Sequence, residues 1–540
     1  VSEEMKQTNE SGAYKWFALV AIVIGTFAAV LNSSLLNVAL PKLIAVMGST
    51  QDTMQWILTG YMLASAVVIP FSGYLGDKFG YKTVFTVSLI GFTVGTFLCG
   101  MAWSDSSLIA FRIFQGLAGG LIMPIGMTII YSLIPRNQIG TALGLWGIAA
   151  MSAPAIGPTL SGYIVEHYSW RVLFFLNVPV GILAVMMGMI LLKETPKKPG
   201  ATLDKAGAVL SVIAFGTLLL ALSKGQAEGW TSLYIVSLFF IAFFSLVLLI
   251  WVELGQKQPV LEVRLFANPI FTLSVLTSSL VTIGMFGGIF LLPIYLQNIQ
   301  GLSPVQTGIL MLPQSIVMAL MMPISGRLFD KIGIVPIGLV GLSLVGITTF
   351  ELHRLAIDTP NHWLNVMLTI RGIGIGLCMQ PLSTVGMNAV PPQLIGRASP
   401  LSNVTRQVMG SMAIAVFTMI MSQRSTIHTG IINDTVSVTN TEASQTMSAL
   451  TGVFAQGGLD AASAQAMAAS TLGGLIAKEA TVRAIGDTFL LASIPIFICI
   501  PLVLLFAKRK KKEVPPAKPA AQTDEQPVKA GVQPEPVLSR

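Results

Sequence analysis

Uninterrupted apolar runs of about 20 residues recur along the whole chain, each long enough to cross the ~30 Å hydrocarbon core of a bilayer as a helix. Of the 540 residues, 53% are hydrophobic and 10% charged, against roughly 25% charged in ordinary soluble domains. So few charges cannot cover a water-facing surface, so the bilayer is the solvent. The 51 Gly and 29 Pro are then packing and hinge positions, because neighbouring helices and polar cavities satisfy the backbone groups they free. Cys99, Cys378 and Cys499 all lie inside apolar runs, where a thiol behaves as a small hydrophobe. They imply neither disulfide nor metal site.

Runs between charged or turn-rich breaks predict fourteen spans, near 16–39, 54–75, 82–102, 107–131, 139–165, 171–192, 203–222, 231–252, 269–296, 305–326, 334–352, 361–389, 398–423 and 485–507. The first lacks a small-residue cleavage site and reads as a retained span, not a signal peptide. With an even number of spans, both termini share one side. Placing them in the cytoplasm puts Lys78, Lys82, Lys197, Lys198, Arg327, Lys331, Arg397 and the run Lys508 to Lys512 inside. It leaves outside only Lys42, Arg171, Lys224, Arg354, Arg424, Lys478 and Arg483. Cytoplasmic loops carry the excess of Lys and Arg, so a multi-pass inner-membrane protein with both termini inside is expected. The net charge of +8 then needs no nucleic acid. Residues 424–484 form one long outside loop, expected to be either a short amphipathic cap on the outer leaflet or a loose connector.

The segment Gly73-Tyr74-Leu75-Gly76-Asp77-Lys78-Phe79-Gly80 recurs as Gly326-Arg327-Leu328-Phe329-Asp330-Lys331-Ile332-Gly333. Both copies follow an even-numbered span, so two halves of the same orientation are indicated, an arrangement of parallel repeats found in transporters. The predicted organisation is an all-α membrane fold. A cytoplasmic segment 1–15 precedes a six-helix bundle over 16–192, and two inserted helices with linkers occupy 193–268. A second six-helix bundle spans 269–507, and 508–540 is a disordered tail. Physically, Gly73, Asp77, Lys78, Gly80, Asp330 and Lys331 make a gate motif: a carboxylate that pairs with a cation or a helix N-terminus beside glycines that permit close approach. In span 5, Gly147, Ala150, Pro154, Gly157 and Ser161 fall at spacings of three and four, a small-residue stripe that lets helices approach closely. Pro158 belongs to the same segment.

Several spaced motifs in order then resemble the major facilitator superfamily, in its fourteen-helix drug:proton antiporter branch. They are the loop at 73–83, Arg112-Ile113-Phe114-Gln115-Gly116, Ala153-Pro154-Ala155-Ile156-Gly157-Pro158, Trp170-Arg171, Phe175-Leu176-Asn177-Val178-Pro179 and Asn37-Val38-Ala39-Leu40-Pro41. The resemblance implies multidrug-type export by alternating access coupled to protons, with Arg112 modulating proton binding at a carboxylate and the span-5 stripe as a sliding seam between the halves. An Arg112 that merely bonds backbone carbonyls is the alternative, and Arg371 and Arg406 inside later spans raise the same question. One departure matters. Where the branch usually carries an aspartate in span 1, this chain has Asn32, and no Asp or Glu falls near a predicted midplane. Either coupling uses another group, or transport is uncoupled, or Asn32 is an engineered replacement that holds one conformation.

Trp56, Tyr61, Phe286, Phe290, Gln314, Met379 and Gln380, with Tyr295 nearby, offer apolar surface with a few polar handles, as a pocket for an amphiphile would. The expected partners are hydrophobic or amphiphilic small molecules, protons and membrane lipids, with the chain working as a monomer. A lipid or lysolipid translocator and a transport-inactive sensor or scaffold are competing readings. Enzyme chemistry, a cofactor and a metal are not expected, because His167, His353, His362 and His428 stand in no recognisable metal or nucleophile arrangement.

Overall fold

The computed structural model describes residues 2–198, 200–436 and 441–509. The predicted tail from 510 onward therefore lies outside the described residues. So do the side chains of Asn37, Val38, Pro41 and Ala155, which fall in the motifs above. Among the described residues, fourteen segments are long and apolar enough to cross a membrane. The first is α1 (Ser2–Met47) and the second a broken helix, α2 (Gln51–Val68) and α3 (Ser72–Phe79). Then follow α4 (Tyr81–Gly100), the pair α5 (Asp105–Gly119) and α6 (Ile122–Leu133), α7 (Ile139–His167) and α8 (Arg171–Leu191). The chain continues through α9 (Lys205–Glu228), α10 (Leu233–Gly255), α11 (Pro269–Ile294), α12 (Pro304–Ile332), α13 (Ile334–Glu351) and α14 (Asn361–Asn388). It ends with α15 (Ile395–Thr435), α16 (Thr441–Gln456) and α17 (Ala461–Arg509).

Local chemistry sets the helix starts. Ser104 and Ser303 close capping boxes on α5 and α12, and Asn268 caps α11 with Pro269 at its first position. Such caps satisfy N–H groups that a helix leaves free at its start. Prolines inside helices free carbonyls four residues back, and hydroxyls from neighbouring helices answer two of them. Pro158 frees the Pro154 carbonyl, which accepts from Ser34 Oγ at 3.4 Å, and Pro381 frees the Leu377 carbonyl, which accepts from Ser325 Oγ at 2.5 Å.

Helices α1 to α8 pack as one bundle and α11 to α15 with α17 as another, with α9 and α10 paired between them. Each bundle has two apolar cores: Phe85, Phe92 and Trp146, then Leu35, Ile57 and Phe174, in the first; Leu292, Leu368 and Phe489, then Met322, Leu342 and Cys499, in the second. A fifth cluster joins all three parts through Ile69 and Met127, Phe215 and Leu249, and Phe271 and Leu401.

Two expectations are corrected. The described residues of the expected outside loop, 424–436 and 441–484, form neither a membrane-surface cap nor a loose connector. The 41 residues of α15 and 49 of α17 run to about 60 and 70 Å at 1.5 Å per residue, far beyond the hydrocarbon core, with α16 packed on α17. Their projecting bases are tied by Asp487, which accepts from Arg424 Nε at 2.5 Å and pairs with His428 Nε2 at 2.8 Å. Hydrophobic periodicity is silent on such a polar, alanine-rich helix, but helix propensity is not. Lys224, expected in a loop, lies inside α9 and is buried. Its ammonium sits 5.7 Å from the centre of the Trp56 ring, which offers a cation a favourable face.

Candidate functional site

Both copies of the repeated octapeptide end a helix rather than forming an open loop. Residues 72–79 are α3, and Gly326 to Ile332 are the last turns of α12. The final glycine of each copy stops the helix by taking positive φ, +91° at Gly80 and +78° at Gly333, where residues with a Cβ are strained. The first glycine of each copy touches a glycine of the other half. A Cβ on Gly73 would stand 2.8 Å from the Gly396 carbonyl oxygen, and a Cβ on Gly326 would fall on the Gly140 carbonyl.

Between those glycines sits the carboxylate. Asp77 is buried rather than at the surface. It pairs with Lys198 Nζ at 2.9 Å and Arg397 Nη2 at 3.8 Å and accepts from the Tyr81 hydroxyl at 3.3 Å. Asp330 instead meets the start of α7, accepting from Gly140 N and Thr141 N, each at 3.2 Å, and from Thr141 Oγ1 at 3.1 Å. Backbone N–H groups at a helix start favour negative charge. Each aspartate thus ties one half to the opening turn of a helix in the other, and the two ties lie at the same end of the molecule. Lys78 and Lys331 are exposed, and Lys78 is spent on Tyr74.

The sequence carried a signal for the receiving side that the reading above missed. Ile139-Gly140-Thr141-Ala142 recurs as Ile395-Gly396-Arg397-Ala398. Gly140 and Gly396 receive the two octapeptide glycines, and Thr141 and Arg397 receive the two aspartates. Four residues with one variable position are too short to find unaided.

The small-residue stripe of α7 divides between two neighbours. Gly144 and Gly147 face Met322 of α12, across the halves, and Gln380 Nε2 donates to the Leu143 carbonyl at 3.0 Å beside them. Further along, Gly162 meets Val305 and Thr159 meets Gly308. Gly157 and Ser161, however, face α1 of their own half: Gly157 packs on Ser34, and Ser161 Oγ donates to the Leu35 carbonyl at 2.5 Å. A continuous inter-half seam through Gly157 is therefore corrected, because the helix turns those positions inward. Gly157→Leu is expected to destabilise the first bundle by about 1–3 kcal/mol through overpacking, read as a lowered thermal midpoint in detergent.

Arg112 is fully buried in the first bundle. Its Nε donates to the Ile57 carbonyl at 3.2 Å, and its Nη1 to Asn32 Oδ1 at 2.7 Å and Gln115 Oε1 at 2.5 Å. The Tyr61 ring centre lies 4.2 Å from its central carbon, Gln115 Nε2 donates to Thr96 Oγ1 at 2.6 Å, and Nη2 has no hydrogen-bond partner. Arg371, also fully buried, donates to the Gly284 carbonyl at 2.7 Å and to Thr349 Oγ1 at 3.3 Å, with Nη1 unpartnered. Arg406 reaches Ser383 Oγ at 3.3 Å. The ion pairs found among the described residues involve none of these three cations.

The other candidate pocket residues divide among several neighbourhoods, with Phe286 bordering both apolar clusters of the second bundle. Trp56 stands where α2 meets α9, facing Lys224. Tyr61 is committed to Arg112 and Gln380 to the seam. Phe286 packs on Gly410, and both Phe286 and Phe290 border the Leu292 cluster. Met379 borders the Met322 cluster, and Tyr295 donates to the Ala356 carbonyl at 2.6 Å. Gln314, buried in α12, keeps Oε1 without a partner. Among the described residues no group of three or more His, Cys, Asp or Glu is placed to hold a metal ion.

A family model described as Major Facilitator Superfamily matches residues 22–414. An uncharacterized MFS-type transporter of Bacillus subtilis, YhcA, is 39% identical over 78% of this chain and 79% of its own. The multidrug export protein EmrB of Escherichia coli K12 is 30% identical over 83% of this chain and 88% of its own. Among solved structures, the human organic anion transporter MFSD10 superposes with a TM-score of 0.56 at 14% identity, covering 89% of this chain and 99% of that one.

Proposed function

The chain belongs to the major facilitator superfamily, a family of transporters rather than enzymes, and is related to multidrug exporters; from that premise we propose that it exports hydrophobic or amphiphilic compounds by alternating access. The observation that carries this reading is the pair of ties at one end, Asp77 with Arg397 and Asp330 with the start of α7. By the positive-inside rule that end faces the cytoplasm and both termini lie on the same side of the cell membrane. The described conformation is then closed to the cytoplasm. Admitting a substrate from inside breaks both ties and parts the glycine contacts beside them. The handles for an amphiphile are Gln314 Oε1 and the apolar surface of Phe286, Phe290 and Met379.

At the position where the drug:proton branch usually has an acid, the Asn32 amide accepts from Arg112 but carries no titrating proton. Asn32 therefore offers this exporter no proton site at that position: export is either uncoupled or coupled through another group. The test has two arms on purified, reconstituted protein. A panel of drugs and lipids is screened for thermal stabilisation, since a ligand that binds only the folded state raises the midpoint. The best stabiliser is then followed in proteoliposomes with the parent and with Asp77→Asn. Several-fold slower transport in a folded Asp77→Asn protein is expected. Parental rates would remove the gate assignment, and stabilisation by lipids alone would favour lipid translocation.

A further inference from the structure

The gate has a third member that neither the repeat nor the halves supply. The linker leaving α8 runs past α1 and the start of α4 to the aspartate of the first octapeptide copy. Lys193 N donates to the Tyr14 hydroxyl at 2.8 Å, Thr83 N donates to the Glu194 carboxylate at 3.2 Å, and Tyr81 N donates to Thr195 Oγ1 at 2.9 Å. These last two bonds satisfy the opening N–H groups of α4, a start with no cap of its own. Lys198 then meets Asp77 twice, backbone N to the Asp77 carbonyl at 2.7 Å and Nζ to Oδ1 at 2.9 Å. The linker leaving α10 fastens to the same strand of chain, Thr202 N donating to Gln258 Oε1 at 2.8 Å and Gln258 Nε2 to the Gly200 carbonyl at 3.2 Å. Four residues on, its Glu262 stands 3.7 Å from Arg397 Nη1, while Arg397 Nη2 stands 3.8 Å from Asp77. The gate cation is thus shared almost evenly between two carboxylates, one in the gate and one in the linker.

We propose that the linkers flanking α9 and α10 form a clasp on the gate, with Lys198 and Glu262 as positioning residues that act in opposite directions. This inference rests on the gate reading above. Lys198 adds positive charge to Asp77 and holds the end closed. Glu262 draws Arg397 away from Asp77 and loosens it. Side-chain exposures of 6% for Asp77, 9% for Glu262 and 17% for Arg397 put the three-way contest where charges are weakly screened. Lys198, at 55%, is the salt-sensitive member. The inserted helices are on this account coupled to opening, because any shift of α9 and α10 moves both linkers.

Opposite signs separate this inference from general damage, which moves variants in one direction. The reporter is Ser399→Cys, since Ser399 is fully buried on α15 and donates across to the Pro124 carbonyl of α6 at 2.9 Å. Its labelling by a hydrophilic maleimide is timed on the full chain in nanodiscs, against the same chain without the reporter as baseline. Lys198→Met is expected to speed labelling by about fivefold, the upper range for a partly exposed pair, and Glu262→Gln to slow it by a similar factor. Lys198→Arg, which keeps the cation, should label at the parental rate. Both variants shifting the same way, or neither shifting, overturns the clasp. Asp77→Asn in the same assay tells the two readings apart: if it too leaves labelling unchanged, the gate itself is wrong, whereas acceleration there alone sinks only the clasp.

Discussion

Gly326→Val is expected to abolish transport while both bundles remain folded. A Cβ at this position would fall on the Gly140 carbonyl and within 2.9 Å of Thr141 N, and a Cβ on Gly140 would stand 2.6 Å from the Gly326 carbonyl oxygen. Backbone meets backbone there, so no side-chain rotation relieves the clash. Overpacking of this kind costs typically about 1–3 kcal/mol and occasionally more. The cheapest relief is to part the halves at that end, which also takes Gly140 N and Thr141 N away from Asp330. A transporter that cannot close one end cannot complete a cycle. Initial rates in proteoliposomes should drop to background, with Ser399→Cys labelling raised in the same protein. Transport above half the parental rate would mean that the contact between Gly140 and Gly326 is not part of the cycle. Gly73→Ala should be milder, because the Gly396 oxygen stands farther off at 2.8 Å.

The two ties are related by the repeat but differ in chemistry, and one residue explains the difference. Thr141 stands where the second copy of the receiving segment has Arg397. Asp330 therefore meets a hydroxyl and two N–H groups, and Asp77 meets a guanidinium. A helix terminus is a fixed partner, whereas an arginine can be contested. Only the Asp77 tie is open to influence from Lys198 and Glu262, so the clasp sits on the adjustable side.

Span number and the octapeptide repeat were legible because apolar run length and a repeated eight-residue pattern are local properties of the chain. The receiving glycines were not. Gly140 and Gly396 matter only through contacts with residues far away in sequence, and the four-residue pattern they share is too short to single them out from the other glycines. Lys198 and Glu262 were hidden for the same reason: each reads as one more charge in a linker. The stripe on α7 was visible as spacing, but spacing alone cannot say which neighbour a face meets, and Gly157 turned out to meet Ser34. Lys224 was misplaced because a lysine ends an apolar run on paper, while in the fold the Trp56 ring receives it and the helix continues to Glu228.

Asn32→Asp is expected to change what drives transport. Asn32 Oδ1 already lies 2.7 Å from Arg112 Nη1, so an isosteric carboxylate needs no rearrangement to meet the guanidinium. A neutral amide contact becomes a charge-assisted one, and a buried cation without a counter-charge gains a partner of the kind buried charges require. The new group can also take up and release a proton, which the amide cannot. If its protonation depends on whether the halves are parted, proton and substrate binding become linked, and coupling of 1–3 kcal/mol corresponds to a change of roughly fivefold or more. A carboxylate beside Arg112 further lowers the positive potential that a cationic substrate meets, so a monocation should gain more than a neutral amphiphile does. The decisive comparison places parent and Asn32→Asp in liposomes under an imposed pH gradient, following a monocationic dye and a neutral amphiphile in parallel. Accumulation of the dye should rise roughly fivefold or more in the variant and collapse when the gradient is dissipated. If the parent already concentrates the dye as well as the variant does, its coupling proton is bound elsewhere, and the Asn32–Arg112 contact is a structural pair that the transport cycle does not use.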